Sequence, residues 1–246
     1  MLDIPKELSS LLENHKYTDV SCRSNSKTYH FDNGIFLKID DKHELEKEYK
    51  MACIFYQMGI GPKVIKYLSD DKDYLLIEEA KGHDLRYMVN EPERLCRILA
   101  ESLKRLHSID AANIPLSSRQ KRYFDSLDGT IDGGYYDNSF LLNGKTITKE
   151  EAWNTMKKGK NKLRCDTFVH GDACLPNIIV NNDKALFIDT GLSGLGDRHI
   201  DIYWALWSLE YNLKTDKYND LFKEIYGRDK IDDDMIDIIE AFEVFG

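Results

Sequence analysis

The sequence predicts an α+β chain of two lobes, a small β-rich N-terminal lobe and a larger, mainly helical C-terminal lobe. Three observations predict it. Short β-branched and aromatic runs around polar turns crowd the first 78 residues. Beyond Glu79-Ala80-Lys81-Gly82 the apolar spacing becomes helical. Inside that helical half, one further hairpin pattern follows a His170-Gly171-Asp172 loop. The expected division is residues 1–78, a hinge at 79–82, and 83–246.

The elements follow in order. Residues 1 to about 16 read as a short amphipathic helix with Leu8, Leu11 and Leu12 on one side. Strands are expected at 18–22, 28–31 and 35–39, the last two joined through Asp32-Asn33-Gly34, since Asn-Gly between apolar runs signals a hairpin. A helix from Glu44 to about Met58 stops at Gly59, with Leu45, Tyr49, Ala52 and Tyr56 as its buried face. Strands at 64–67 and 74–77 flank the turn 69–73. The helix 91–107 carries an inward stripe of Leu95, Ile98, Leu99, Ser102, Leu103 and Leu106. Residues 128–145 are loop-rich, and helices are expected at 149–160, 198–213, about 216–227 and 232–245. Asp197 suits the N-cap of the 198–213 helix, and Asp201 shares its inward face with Ala205.

The chemistry concentrates at His170-Gly171-Asp172-Ala173-Cys174-Leu175-Pro176-Asn177. Ile178-Ile179-Val180 and Ala185-Leu186-Phe187-Ile188 bracket the turn cluster Asn181-Asn182-Asp183-Lys184, which predicts a hairpin. A hairpin brings its outer ends together, so Asn177 and Asp189 become neighbours and Asp172 feeds the same end. A loop Asp able to take a hydroxyl proton, beside an Asn and an Asp suited to Mg²⁺, reads as a phosphoryl-transfer site. His170 is expected to hold the loop by hydrogen bonds, and Cys174 to fill space. Lys38 shares a strand face with Phe36 and is the candidate cation for donor phosphates. Its partner is expected on the next helix: Glu48 falls on the core face, Glu46 points outward, and Glu44 is the alternative. A nucleotide-sized cleft is expected between the lobes.

Composition narrows the class. With 42% hydrophobic and 31% charged residues the chain is that of an ordinary globular enzyme. The net charge of −9 makes a nucleic-acid binder, which needs a basic stripe, a poor fit and suits a cationic small molecule. No apolar run approaches a membrane span, and the N-terminus has no secretory pattern. Five scattered cysteines without a Cys-x-x-Cys pair point to a reduced, cytoplasmic setting. No membrane or nucleic-acid partner is expected, and the chain is expected to be a monomer or dimer.

These residues resemble the aminoglycoside phosphotransferases, nearest their 3'-phosphotransferase branch, within the wider protein-kinase-like and choline-kinase-like fold. The resemblance runs over nearly the whole chain. It includes the 169–177 loop, Phe187-Ile188-Asp189-Thr190-Gly191, Gly196-Asp197-Arg198 with Asp201-Ile202, and Leu106-His107-Ser108-Ile109-Asp110. It implies Asp172 as catalytic base, Asn177 and Asp189 as Mg²⁺ ligands, Lys38 on the donor phosphates and Glu48 as its partner. It further implies Phe36 stacked on the purine, the backbone of Glu78 and Ala80 at the purine edge, and Ser24, Asn25 and Ser26 over the phosphates. Residues 1–78 become a nucleotide-binding lobe and 83–246 a catalytic and acceptor-binding lobe.

The departures concern the acceptor. Leu192 follows the Asp-x-Gly where related enzymes carry Arg. The loop around Asp132, Tyr135, Tyr136 and Asp137 has fewer carboxylates, and Gly246 follows Phe245 where related chains end on Phe. Asp137, Glu240, Glu243 and the Gly246 carboxylate are the expected ligands of a cationic acceptor; Glu240 and Glu243 could instead form a solvated helix face. The expected function is ATP- or GTP-dependent, Mg²⁺-requiring O-phosphorylation of an aminoglycoside, conferring antibiotic resistance. The alternatives are a choline-, homoserine- or macrolide-type acceptor, or a nucleotide-binding sequestering protein without turnover.

Overall fold

The computed structural model describes residues 2, 4–22, 26–126 and 135–246. The expected roles of Ser24, Asn25 and Asp132 lie outside the described residues. The chain divides into two compact units, Met1–Ala80 and Lys81–Gly246.

The first unit is an antiparallel sheet of order β1-β2-β3-β5-β4, with β1 Tyr17–Asp19, β2 Lys27–Phe31, β3 Ile35–Asp41, β4 Val64–Ser69 and β5 Lys72–Glu78. The three-residue loop Asp32-Asn33-Gly34 joins β2 to β3. Gly34 takes φ 76°, a conformation glycine adopts without steric cost, and its N–H bonds the Phe31 carbonyl at 3.0 Å. Helix α1, Lys6–Leu12, packs Leu8 and Leu12 against Phe31, Leu37, Tyr74 and Leu76. It is shorter than the expected span: Pro5 precedes it and Asn14 takes φ 67° just after it, while Leu11 is exposed. β1 is likewise shorter than expected and wholly exposed, as suits a blunted edge strand.

Helix α2 spans Glu46–Gln57 and buries Glu48, Met51, Ala52 and Phe55. This corrects the expected face by one position, since Tyr56 is 47% exposed and Phe55 fully buried. Its N-cap is Leu45, whose N–H is accepted by the buried Asp73 of β5 at 2.9 Å.

The second unit is mainly helical: α3 Pro92–Leu106, α4 Ser118–Asp125, α5 Lys149–Gly159, α6 His199–Leu213, α7 Asn219–Tyr226 and α8 Asp233–Glu243. Two small sheets lie among them. β6 His83–Asp84, β8 Ile178–Asn181 and β9 Lys184–Phe187 form one, and β7 Thr167–Val169 with β10 Gly194–Gly196 the other. In α3 the expected stripe is buried except Ser102, whose hydroxyl bonds back to the Ile98 carbonyl at 2.6 Å. The α5 start is a capping box, Thr148 with Glu151. Asp232 caps α8 through the Asp234 N–H. Helix α4 is missing from the sequence reading, although Ser117 caps it by accepting the Gln120 N–H. The α+β class, with its N-terminal antiparallel sheet and helical C-terminal region, is the one the sequence predicts. Among the described residues, no helix is long and apolar enough to cross a membrane.

Candidate active site

In the second unit the site is built on the β8–β9 hairpin. Asn182 and Asp183 both take positive φ, the backbone of a tight two-residue turn whose twist matches the strands. The register pairs Ile178 with Phe187, and the Ile188 N–H donates to the Asn177 carbonyl at 3.0 Å. Asn177 and Asp189 therefore meet at the open end of the hairpin, as the spacing predicts. Asn177 Nδ2 donates to both the carbonyl and Oδ2 of Asp172, each at 2.9 Å. With its N–H₂ turned to Asp172, the Asn177 amide presents Oδ1 on its other side. Asp189 is exposed and takes φ 60° and ψ 56°, left-handed backbone that a non-glycine residue rarely adopts. Such strain clusters at functional positions. The donor set of Asn177 and Asp189 is all oxygen, the chemistry of a hard divalent cation.

The loop carrying Asp172 is held from several directions. Asp201 of α6 is fully buried and accepts the His170 N–H on Oδ2 at 2.7 Å and the Gly171 N–H on Oδ1 at 2.8 Å. His107 Nε2 reaches Asp201 Oδ2 at 2.9 Å. The Ser193 hydroxyl donates to the His170 carbonyl at 2.7 Å. The His170 ring joins Ile188 to Asp172: Nε2 meets the Ile188 carbonyl at 2.9 Å, and Nδ1 accepts the Asp172 N–H at 3.3 Å. That pattern assigns the ring proton to Nε2 and makes His170 a brace. Gly171 takes φ 85°, and a Cβ there would sit 2.5 Å from the Leu192 carbonyl oxygen, so only glycine fits. Cys174 is buried; burial and the Asp172 carboxylate push its thiol well above its ordinary value, which leaves it inert packing.

Asp197 is not the N-cap of α6: that residue is Arg198, and the side chain of Arg198 makes no cap bond. Asp197 instead accepts the N–H groups of Arg164 and His199 and the His199 ring. Burial alone would raise its pKa, but the His199 ring and these N–H groups outweigh burial and lower it. Because the folded value lies below the unfolded one, near 3.9, the stabilisation is full above about pH 4 and is lost as pH falls through the folded value. Asp197→Asn is expected to melt below the parent at neutral pH, with the gap closing below about pH 4. Thermal melts across that range check it, and a constant gap would refute it.

In the first unit Lys38 and Glu48 form an ion pair, Nζ to Oε1 2.5 Å, with both side chains largely buried. This settles the choice among the three glutamates. Glu46 pairs with Lys50, and Glu44 is exposed. Phe36 stacks on His30, its cross-strand neighbour, with ring centroids 4.4 Å apart. The Ser26 hydroxyl bonds Asp40 at 2.5 Å. The Glu78 N–H is committed to the Lys63 carbonyl, so a purine edge can meet this residue's backbone only through its carbonyl. Ala80 follows in irregular backbone as the last residue of the unit.

The expected acceptor ligands divide. Asp137 is half-buried, accepts the Tyr135 hydroxyl and the Ser139 N–H, and donates its own N–H to the Val244 carbonyl at 2.8 Å. Gly246 is exposed beside the Tyr135 ring. Asp137 and the chain end are thus gathered together. Glu240 and Glu243 require correction: they are 3% and 2% exposed, neither a solvated face nor open carboxylates. Glu240 accepts the Leu142 N–H and meets Lys145; burial raises its pKa against both. Glu243 is surrounded by Arg119, Arg122, Tyr123 and Trp204. Arg119 and Arg122 of α4 supply the cations of Glu243, and Lys145, before α5, that of Glu240. Arg119, absent from the sequence reading, could have been suspected once Ser117 marked a helix start.

A family model described as the phosphotransferase enzyme family matches residues 22–234. The chain belongs to that family. A probable aminoglycoside 3'-phosphotransferase of Lactococcus lactis subsp. lactis (strain IL1403) is 37% identical, covering 98% of this chain and 95% of the relative. An aminoglycoside 3'-phosphotransferase of Niallia circulans is 32% identical over 67% of this chain and 64% of the relative. The fold is shared with the crystal structure of a type VIII aminoglycoside-3'-phosphotransferase, at a TM-score of 0.72 and 18% identity over 98% of this chain and 97% of that one. It is shared equally with an aminoglycoside phosphotransferase of Streptomyces rimosus ATCC10970 solved with ADP and streptomycin. There the TM-score is 0.71 and the identity 17%, covering all of both chains. The resemblance read from the sequence is thereby confirmed, and this phosphotransferase has the kinase-like fold it implies.

Proposed function

We propose that this phosphotransferase moves the terminal phosphoryl group of ATP or GTP to a hydroxyl of an aminoglycoside, in the cytoplasm, and so confers antibiotic resistance. The observation that carries the reading is the Asp172–Asn177–Asp189 cluster at the open end of the hairpin, with the N–H and carbonyl groups of residues 170–172 all held. Asp172 takes the acceptor hydroxyl's proton and aims its oxygen. Asn177 and Asp189 hold Mg²⁺, which neutralises charge on the donor's phosphates. Lys38, steadied by Glu48, supplies a further cation to those phosphates. Phe36 provides a face for the purine, with the Glu78 carbonyl and Ala80 at its edge. Asp137, with Gly246 beside it, meets the acceptor's ammonium groups. The likeness in sequence to aminoglycoside 3'-phosphotransferases over nearly the full length supports the substrate class.

A coupled kinase assay crossing ATP and GTP, with and without Mg²⁺, against a panel of aminoglycosides tests the proposal. Turnover only with an aminocyclitol acceptor supports it, and no turnover across the panel refutes the substrate. The inward turn of Glu240 and Glu243 favours one further arm, hydroxylated acceptors of lower positive charge, in the same assay. Lys38→Met is expected to lower kcat/KM for the nucleotide by about 10²-fold, because Glu48 would then face the phosphates without its cation. A change under about threefold in steady-state kinetics would remove Lys38 from the site.

A further inference from the structure

The carbonyl immediately before Asp172 is held by a charged side chain. Arg119 of α4 donates Nε to the Gly171 carbonyl at 2.8 Å. Its Nη1 reaches both oxygens of Glu243, at 3.2 and 2.9 Å, and its guanidinium lies 4.8 Å from the Trp204 ring centroid. Glu243 also accepts from Arg122 at 2.8 Å, from Trp204 Nε1 at 3.2 Å and from the Tyr123 hydroxyl. Glu243 closes α8, and the next residue, Val244, accepts the Asp137 N–H. A continuous path therefore runs from the Asp137 turn and the chain end to the peptide group beside Asp172.

A carbonyl needs no more than a neutral donor, and a buried ion pair stabilises a junction no better than apolar packing of the same volume. What a guanidinium adds is direction. Its planar fork serves two acceptors at a fixed angle, which a single ammonium cannot do. We infer that Arg119 is a positioning residue for phosphoryl transfer, fixing Asp172 through the Gly171 carbonyl, and that Glu243 is the counter-charge that orients Arg119. The inference rests on the proposed transferase activity. The charges around Arg119 agree with it: burial, the largest single influence, opposes its ionisation, and Glu243, Tyr123, Asp172 and Cys174 together outweigh burial and raise its pKa.

The test uses the full-length chain, with kcat, KM and nucleotide Kd measured for Arg119→Lys and Glu243→Gln and normalised to the nucleotide-binding fraction. Arg119→Lys is expected to lower kcat by about 10- to 100-fold, with nucleotide Kd and acceptor KM within about threefold, as for a displaced reacting group. A merely structural role would reduce the folded, nucleotide-binding fraction and leave normalised kcat unchanged, and that result overturns the inference. Glu243→Gln keeps an acceptor for Tyr123 and Trp204 while removing the charge, and a smaller loss of kcat is expected. It carries the test if Arg119→Lys does not fold, and an unchanged kcat overturns the counter-charge role. A parent without turnover refutes the activity and this inference together. An active parent with an unaffected Arg119→Lys refutes the inference alone.

Discussion

Asp172→Asn is expected to abolish most turnover, lowering kcat by about 10²- to 10⁴-fold, the range of a general base, with nucleotide KM within a few-fold. The substitution is close to isosteric. Asn177 Nδ2 donates to Asp172 Oδ2 and to its carbonyl, and the carbonyl bond survives while an Asn oxygen can still accept the other. The His170 ring continues to hold the 172 N–H. The fold and the positions of Asn177 and Asp189 are therefore kept, and what disappears is a carboxylate able to take the hydroxyl proton. Steady-state kinetics beside a thermal melt separate the cases. A loss of kcat under tenfold with an intact fold would mean that the proton leaves by another route.

The parts of this site that can be read from sequence are those made by local periodicity. The Asn182–Asp183 turn, the two short apolar runs and the alternation along β3 place Asn177 beside Asp189 and Lys38 on the face of Phe36. The α2 pattern likewise selects Glu48, although it runs the stripe through Tyr56 where Phe55 is buried. Both readings put Glu48 inward, because positions three and four apart share a face. What the sequence conceals is long-range. Arg119 and Glu243 meet across more than a hundred residues, and a Glu in the acidic stripe of the 232–245 helix reads as an open acceptor ligand or as solvated surface. Its burial depends on where α4 lies, and α4 carries too few apolar residues to signal itself. Asp201 is the intermediate case. Its spacing to Ala205 gives the buried face, but the groups it holds, the peptide N–H groups of 170 and 171 and the His107 ring, come from two segments far from it in sequence.

Asp201 is accordingly where the largest loss of stability is expected. Its two oxygens serve three donors with no access to water: the His170 and Gly171 N–H groups and His107 Nε2. The His107 tautomer follows from its other partner. The Tyr226 hydroxyl lies 2.8 Å from Nδ1, and burial pushes that phenol up to about 12, so it stays protonated and donates, leaving the ring proton on Nε2 toward Asp201. Asp201→Asn replaces one acceptor oxygen with an N–H₂ group. Placed at Oδ1 it faces the Gly171 N–H; placed at Oδ2 it faces both the His170 N–H and His107 Nε2. Either way a buried donor loses its acceptor and meets another donor. Each unsatisfied group costs about 1–3 kcal/mol, more where a charged acceptor is lost, so a total of about 2–5 kcal/mol is expected. That is a large share of the roughly 5–15 kcal/mol that holds a domain together. Urea unfolding measures it, and a change under about 1 kcal/mol would show that the loop is held without Asp201. Activity is expected to fall further than stability alone requires. The freed peptide groups belong to the two residues before Asp172, and a shift there of about an ångström costs on the order of 10²-fold in rate. Assayed well below its melting temperature, the folded Asp201→Asn enzyme should therefore retain nucleotide binding while losing kcat, joining the buried face of α6 to the position of the reacting oxygen.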